Sequence, residues 1–449
     1  GVYFDDAFYE ACDANGILVW QDFMFACSMY PGDEKFVENV KQEVIDNVNR
    51  LQNHPSIAIW CGNNENDEGW HNWGWQKQFN YSKADSTQIW NDYKKVFHEM
   101  IPQTLDSLLP KEKNIYWSSS PSKGWGRKES LTQGDVHYWG VWWGKEPFEI
   151  YEEKVGRFVS EYGFQGMPNL ETLKKVMDKE DLNFTSEAFK NHQKHPTGYE
   201  TINEYMERDY VVPKNFESYL YVSQLLQARG MKTAIEAHRR AKPYCMGTLY
   251  WQLNDCWPVT SWSSLDYYGN WKAFHFQAKR SFENLLLSVA EKNNGYEVFL
   301  VNDTFENYSG KLELELLSFD GKSFWKTSNE IRVEGNSSAN FYELSKEDLK
   351  PFDLKQTVLK VEFNDIKSNF FFVKPKDLKL QKPNIQIRTI DEVTIEVSTD
   401  VLAKGVFLSS ENDTFFEDNY FDLLPNKRRI IKLSKAAKEI KVKSLFDTL

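Results

Sequence analysis

No apolar run in the chain approaches the roughly 20 residues that a membrane span requires. Cationic excess is also missing, since 54 Lys and Arg face 66 Asp and Glu. The formal net charge of −12 argues against a nucleic-acid partner, because phosphate contact needs clustered cations. Cysteine is scarce and odd in number: Cys12, Cys27, Cys61, Cys245 and Cys256. No CxxC pair occurs, so neither a disulfide framework nor a zinc site is signalled, and the five are expected as buried thiols. No His/Asp cluster has ligand spacing, so neither a metal nor another cofactor is expected. Internal repeats and low-complexity tracts are absent. There is no initiator Met and no signal peptide, and the chain opens directly in a helical pattern. Gly1 is therefore expected to be an internal position of a longer protein.

The 449 residues predict about two to four domains. A hydrophobic share of 41% and a charged share of 27% are those of an ordinary water-soluble globular protein with ample core. Aromatics are in excess at 15%, with 16 Trp. Trp70, Trp73, Trp75, Trp117, Trp125, Trp139, Trp142, Trp143, Trp251, Trp257 and Trp262 crowd strand ends and following loops of the first part. Core packing would explain some of them. Indoles beside glycines in loops also offer flat faces for the CH sides of sugar rings.

Up to about residue 285, short apolar runs alternate with helical periodicity. Helices are expected over 4–15, 36–51, 87–109, 217–241 and 272–283. Strands are expected over 17–23, 57–62, 115–120, 135–140, 158–163 and 247–253. Polar residues cluster at the C-terminal ends of these strands, as at the mouth of an eightfold βα barrel. A closed barrel needs eight strands, and the shortfall falls at the start. Beyond residue 285, period-two alternation takes over, as in Lys311-Leu-Glu-Leu-Glu-Leu316, with turn signals such as Asp320-Gly321. The fold class is thus multidomain α/β plus all-β: a (β/α)8 TIM barrel lacking its first two strands over 1–285, then immunoglobulin-like β-sandwiches over 286–374 and 375–449. The sandwiches are read as structural support.

Two strand ends carry chemistry. Ile57-Ala-Ile-Trp-Cys-Gly-Asn-Asn-Glu65 ends in amides and a carboxylate, and Arg157-Phe-Val-Ser-Glu161-Tyr-Gly repeats the design. A barrel can turn two such carboxylates toward each other over one ligand. One would protonate a leaving oxygen and the other would attack the anomeric carbon, which is the equipment of glycoside hydrolysis. Asn64 beside Glu65 could hold a ring hydroxyl next to the reacting carbon. An ionised Glu161 would raise the proton affinity of Glu65, as a general acid requires.

The runs Phe4-Asp-Asp-Ala-Phe-Tyr-Glu-Ala-Cys-Asp13, Leu18-Val-Trp-Gln-Asp-Phe-Met-Phe-Ala-Cys-Ser-Met-Tyr-Pro31, Trp60-Cys-Gly-Asn-Asn-Glu-Asn66, Phe158-Val-Ser-Glu-Tyr-Gly-Phe164 and Leu249-Tyr-Trp-Gln-Leu-Asn-Asp-Cys-Trp257 resemble those of the β-mannosidases of glycoside hydrolase family 2. The resemblance covers residues 1–285, and the trailing sandwiches match that family's layout. It implies a retaining exo-β-mannosidase acting on terminal β-mannosides, with Glu65 as acid/base, Glu161 as nucleophile and Asn64 on the sugar's 2-hydroxyl. It places Trp73, Trp139, Trp143 and Trp251 around the sugar. Trp143 stands where the family pattern has Tyr, and its indole N–H can donate but not accept. Asp22 and His137 lie on strand ends and line the site, although a structural role suits His137 equally. The resemblance also implies N-terminal domains preceding Gly1 and a lysosomal, periplasmic or secreted setting. Other exo-glycosidases of the family, for β-galactosides, β-glucuronides or glucosaminides, share the chemistry. A non-catalytic sugar-binding or truncated product would keep the Trp walls without needing paired carboxylates.

Overall fold

The computed structural model describes residues 2–449. They divide into two compact units, one running to residue 138 and including 156–160, the other comprising 139–155 and 161–449.

The first unit is α/β. Helix α1 (Asp6–Asn15) starts where the Asp5 carboxylate accepts from the Ala7 N–H. It stops at Gly16, whose φ of 66° is the left-handed conformation that glycine adopts without strain. Strand β1 (Val19–Asp22) leads to α2 (Glu34–Leu51), capped by Asp33. The i, i+4 spacing of Val40, Val44 and Val48 puts them on one buried face of α2. That face joins a core with Phe23, Trp60, Phe97, Ile101 and Leu105. Strand β2 (Ile57–Cys61) pairs in parallel with β1 on one side and β3 (Tyr116–Trp117) on the other. Parallel neighbours with helical connections are what the alternating pattern predicts. The helix expected over 87–109 starts earlier, at a capping box of Ser82 and Asp85. It continues through a π-helical turn, Lys95–Met100, into Ile101–Leu108. The widened turn falls just before Pro102, which has no N–H to give to the preceding turn. Strand β4 (Val136–His137) donates its Val136 N–H to the Phe158 carbonyl at 2.9 Å, beside the start of β5 (Val159–Glu161).

The second unit contains the long helix Phe216–Arg240, helix Ala273–Ser281 and two layered β regions. The first β region has a three-stranded sheet (Leu285–Lys292, Gly295–Asn302, Ser337–Ser345) and a four-stranded one (Tyr308–Ser318, Ser323–Val333, Thr357–Phe363, Ile366–Phe371), all pairs antiparallel. Alternate residues such as Leu312, Leu314 and Leu316 face a core shared with Val298, Leu300, Leu359 and Val361. The second region repeats the plan from Gln386–Asp391 to Lys441–Lys443, around Val397, Val406, Leu408 and Ile431. Tyr221 of the long helix donates its hydroxyl to the Gly405 carbonyl at 2.5 Å.

Two expectations are corrected. Residues 247–253 do not form a strand. Against the Glu161 segment the Trp251 N–H donates to the Tyr162 carbonyl at 2.8 Å, and the Thr248 and Tyr162 hydroxyls share a hydrogen bond. The Trp251 carbonyl presses so close to Gly163 that a Cβ there would sit 2.3 Å from it. An irregular backbone closes down onto the glycine instead of running on as a ladder. The cysteines are also not all buried: Cys12, Cys61 and Cys245 are, whereas Cys27 and Cys256 are exposed. Cys27 lies beyond the end of β1, outside the ladder that shields Cys61.

Candidate active site

Past Cys61 the β2 chain leaves the ladder but stays pinned. The Asn64 N–H donates to the Phe25 carbonyl and the Cys27 N–H donates to the Asn64 carbonyl, each at 2.9 Å. On the other flank the Ser120 N–H donates to the Asn63 carbonyl and the Glu65 N–H to the Ser120 carbonyl, at 3.0 and 2.7 Å. Buried Asn63 locks the turn from within. Its amide donates to the Ser118 carbonyl, and its side-chain oxygen accepts from the Asn66 N–H and the Ser119 hydroxyl. Held this way, Glu65 takes φ 64° and ψ 7°, left-handed values that cost a side-chain-bearing residue energy. Such strain persists where surrounding bonds over-determine the backbone, and the Glu65 side chain makes no capping bond to the helix α3 (Asn66–Asn72) that it precedes.

The Glu65 side chain is 13% exposed. Its Oε1 lies 2.8 Å from His137 Nδ1, and its Oε2 accepts from the Cys27 thiol at 3.5 Å. Asn64 Nδ2 donates to the same sulfur at 3.7 Å. Behind His137, its Nε2 lies 2.9 Å from Ser120 Oγ, and Ser120 donates to Asp135 Oδ2 at 2.7 Å. Buried Asp135 also accepts from Ser160 Oγ, Trp117 Nε1 and the Ser122 N–H. Asp22, at the end of β1, accepts from Trp20 Nε1 at 2.9 Å, and burial holds its carboxyl above the ordinary aspartate range. Trp73 caps the end of α3, half open to solvent, with its ring edge-on to Trp75.

In the second unit Glu161 Oε1 accepts from Trp139 Nε1 at 3.1 Å. Trp139 stands edge-on to Trp262. Next along the chain, Tyr162 is buried and shares a 2.7 Å hydrogen bond with Thr248, which in turn contacts His238 at 2.9 Å. Trp251 is largely exposed, and its backbone is tied to the Glu161 segment through Tyr162. Trp143 is 57% exposed, with its ring 4.4 Å from that of His195.

Of the residues expected from sequence, Asn64, Glu65 and His137 come together in the first unit, with Asp22 ending the neighbouring strand. Glu161 and Trp139 come together in the second. Among the tryptophans, Trp70, Trp75 and Trp142 are core, whereas Trp73, Trp125, Trp143, Trp251 and Trp257 present open faces. Sequence reasoning did not single out Ser120, Asp135, Asn63 or Cys27. The one available signal was Asp135, two residues before His137 and so on the same face of a strand.

A parallel-sheet rim bearing an over-determined carboxylate, followed by two β-sandwich regions, makes an α/β-plus-immunoglobulin-like architecture. Residues 294–377 match a mannosidase Ig/CBM-like domain, and residues 380–448 match an Ig-fold domain of mannosidases. The chain is 31% identical to β-mannosidase B of Thermothelomyces thermophilus, over 99% of this chain and 57% of that protein. It is 36% identical to the β-mannosidase of Capra hircus, over 68% of this chain and 36% of that protein. The crystal structure of β-D-mannosidase from Dictyoglomus thermophilum superposes with a TM-score of 0.87 at 33% identity, covering 99% of this chain and 55% of that one. The exo-chitosanase CsxA of Amycolatopsis orientalis shares the fold, with a TM-score of 0.71 at 14% identity. These matches support reading the chain as similar to the C-terminal region of the β-mannosidases of glycoside hydrolase family 2. Its matches cover 57% of the first of these relatives and 34–56% of the next five.

Proposed function

We propose that this chain supplies the catalytic carboxylates of a retaining exo-β-mannosidase that removes terminal non-reducing β-mannose by double displacement. Glu65 is the acid/base and Glu161 the nucleophile. Asn64 binds the 2-hydroxyl, and Asp22, Trp73, His137, Trp139, Trp143 and Trp251 line the sugar. The α/β part is read as a (β/α)8 barrel lacking its first two strands in this chain, over 1–285. The two immunoglobulin-like sandwiches are read as 286–374 and 375–449. The substrate is a β-mannoside or oligosaccharide.

The observation that carries the proposal is Glu65, a carboxylate in strained backbone, bonded on both flanks and set against an imidazole. A group that serves only to cap a helix has no need of this. Glu161 supports it, since it accepts an indole N–H and is one peptide bond from Ser160, whose hydroxyl is anchored on Asp135. In the first step Glu161 bonds to the anomeric carbon as the glycosidic C–O bond breaks, and the Glu65 proton passes to the departing oxygen. In the second, Glu65 takes a proton from water, whose oxygen displaces Glu161. Retention requires the carboxyl groups to lie about 5–5.5 Å apart.

A panel of nitrophenyl glycosides assayed with the native polypeptide tests the substrate class. Turnover of the β-mannoside well above the β-galactoside, β-glucuronide and glucosaminide is expected. Glu161→Gln should abolish hydrolysis while sparing ligand binding. Normal turnover with that change would sink the mechanism.

A further inference from the structure

Between Trp251 and Trp257 the pattern of exposure is inverted. Leu253, Cys256 and both indoles lie open to solvent, whereas the one buried residue of the run is an acid, Asp255. Its side chain is 1% exposed. A carboxylate taken out of water is destabilising unless donors and cations compensate it, and this one is surrounded. Oδ2 accepts from the Ser261 and Ser263 hydroxyls at 2.7 and 2.5 Å, and Oδ1 accepts from the Gln252 amide at 3.3 Å. Lys194 Nζ lies 3.4 Å from Oδ1. The buried Lys272 ammonium bears on the same carboxylate and donates to the Ser261 carbonyl at 3.4 Å.

Lys194 belongs to a short strap, residues 192–195, laid along 258–260. The Thr260 N–H donates to the His192 carbonyl at 2.9 Å, and the Lys194 N–H donates to the Thr260 carbonyl at 3.3 Å. His192 Nδ1 meets the Pro258 carbonyl, and its ring lies 5.6 Å from that of Trp257. At the other end His195 is buried. Its Nδ1 accepts from the Thr197 N–H at 3.2 Å, and its ring is 4.4 Å from that of Trp143. The strap thus touches both indole-bearing segments, and Asp255 ties strap and loop at one point. We infer that Asp255, through Lys194, is the positioning residue that fixes Trp143 and the Trp251 loop relative to each other. The inference rests on the reading of these two indoles as sugar walls. Asp255 is buried below the walls and moves no proton. It acts on affinity, because walls held at the right spacing before the sugar arrives need no ordering when it binds.

The test uses Lys194→Met in the native polypeptide. Lys194 is partly exposed, and its replacement removes the tie while leaving the serine hydroxyls on the carboxylate. With a nitrophenyl β-mannoside KM should rise about tenfold while kcat stays within about twofold, the signature of lost uniform binding. Lys194→Arg keeps the cation and should restore KM. In a Trp143→Ala background Lys194→Met should change KM by less than about twofold, because the wall it positions is gone. Hydrogen exchange over residues 192–195 and 249–258 should quicken in Lys194→Met, independently of activity. An unchanged KM, unchanged exchange, a loss confined to kcat, or effects of Lys194→Met and Trp143→Ala that multiply in full would overturn the inference. A parent inactive on every glycoside, with exchange of both segments quickened by Lys194→Met, would overturn the proposed function and leave the tie between strap and loop standing.

Discussion

Lys374 Nζ donates to Asp209 Oδ1 at 2.7 Å, while Arg229 Nε donates to the other oxygen of the same buried carboxylate at 2.8 Å. One aspartate thus ties the end of the first β-sandwich to the long helix. Burial alone would raise the Asp209 carboxyl, but Arg229 and Lys374 outweigh it and hold the group below the ordinary range. A lowered folded value contributes stability above the unfolded value, about 3.9, and the contribution is lost as pH falls through the folded one. Asp209→Asn should therefore cost about 2 kcal/mol at neutral pH, discounted for the partly exposed cations. The difference from the parent should shrink below about pH 4. Urea unfolding at several pH values measures it, and a pH-independent difference would contradict the ion pairing.

Gly163 follows the Glu161 strand end, and an added methyl would lie 2.3 Å from the Trp251 carbonyl, 3.1 Å from the Trp262 ring and 3.3 Å from the Trp139 ring. The first neighbour is backbone and cannot swing away. Gly163→Ala should push the Trp251 segment outward, costing about 1–3 kcal/mol as overpacking does. Because Trp139 donates to Glu161, the same change should lower kcat more than it raises KM. A melting curve and steady-state kinetics read both effects. A variant indistinguishable from the parent would show that the segment yields freely.

These two cases mark where sequence reading succeeds and where it stops. The helices Asp6–Asn15, Glu34–Leu51 and Phe216–Arg240 and the β1 and β2 strands were legible because each writes its period into the order of apolar residues, whereas helix Gly198–Asp209 was not read. The left-handed Glu65 was not legible, because its φ is fixed by carbonyls of Ser120 and amides near Phe25, contributed by distant parts of the chain. His137 could be read equally as core or site until its two nitrogens were seen to bridge Ser120 and Glu65. The run 247–253 reads as a strand because it is apolar. Its apolar and aromatic residues serve instead to lay irregular backbone against Gly163. The sandwiches were the easiest part, since period-two alternation carries their whole design.

His238 lies buried in the long helix, with Nδ1 2.9 Å from Thr248 Oγ1, and Thr248 meets Tyr162. Burial, aided by Arg240, lowers its value from 6.5 to about 3. A depressed histidine contributes stability above its unfolded value, and the contribution is lost as pH falls toward the folded one. Between pH 7 and pH 5 the parent should lose up to about 2 kcal/mol that His238→Gln does not lose. Chemical unfolding at the two pH values separates this from general acid sensitivity. Identical slopes for parent and variant would mean that the imidazole takes up its proton without opening the fold.

Trp143 offers the clearest separation of binding from folding. Its ring is 57% exposed and rests on buried His195, so removing it opens no deep cavity. An open indole face contributes by stacking on the apolar side of a sugar ring, in the ground state and transition state alike. Loss of such uniform binding raises KM and leaves kcat alone. Trp143→Ala should raise KM for a β-mannoside about tenfold, the equivalent of about 1.4 kcal/mol. The melting temperature should fall by only a few degrees. Trp143→Tyr should recover most of the affinity, because the stacking face is kept and the hydroxyl can also accept a hydrogen bond. If Trp143→Ala instead lowered kcat with KM unchanged, the ring would be acting on the reacting bond and the assignment as a sugar platform would fail.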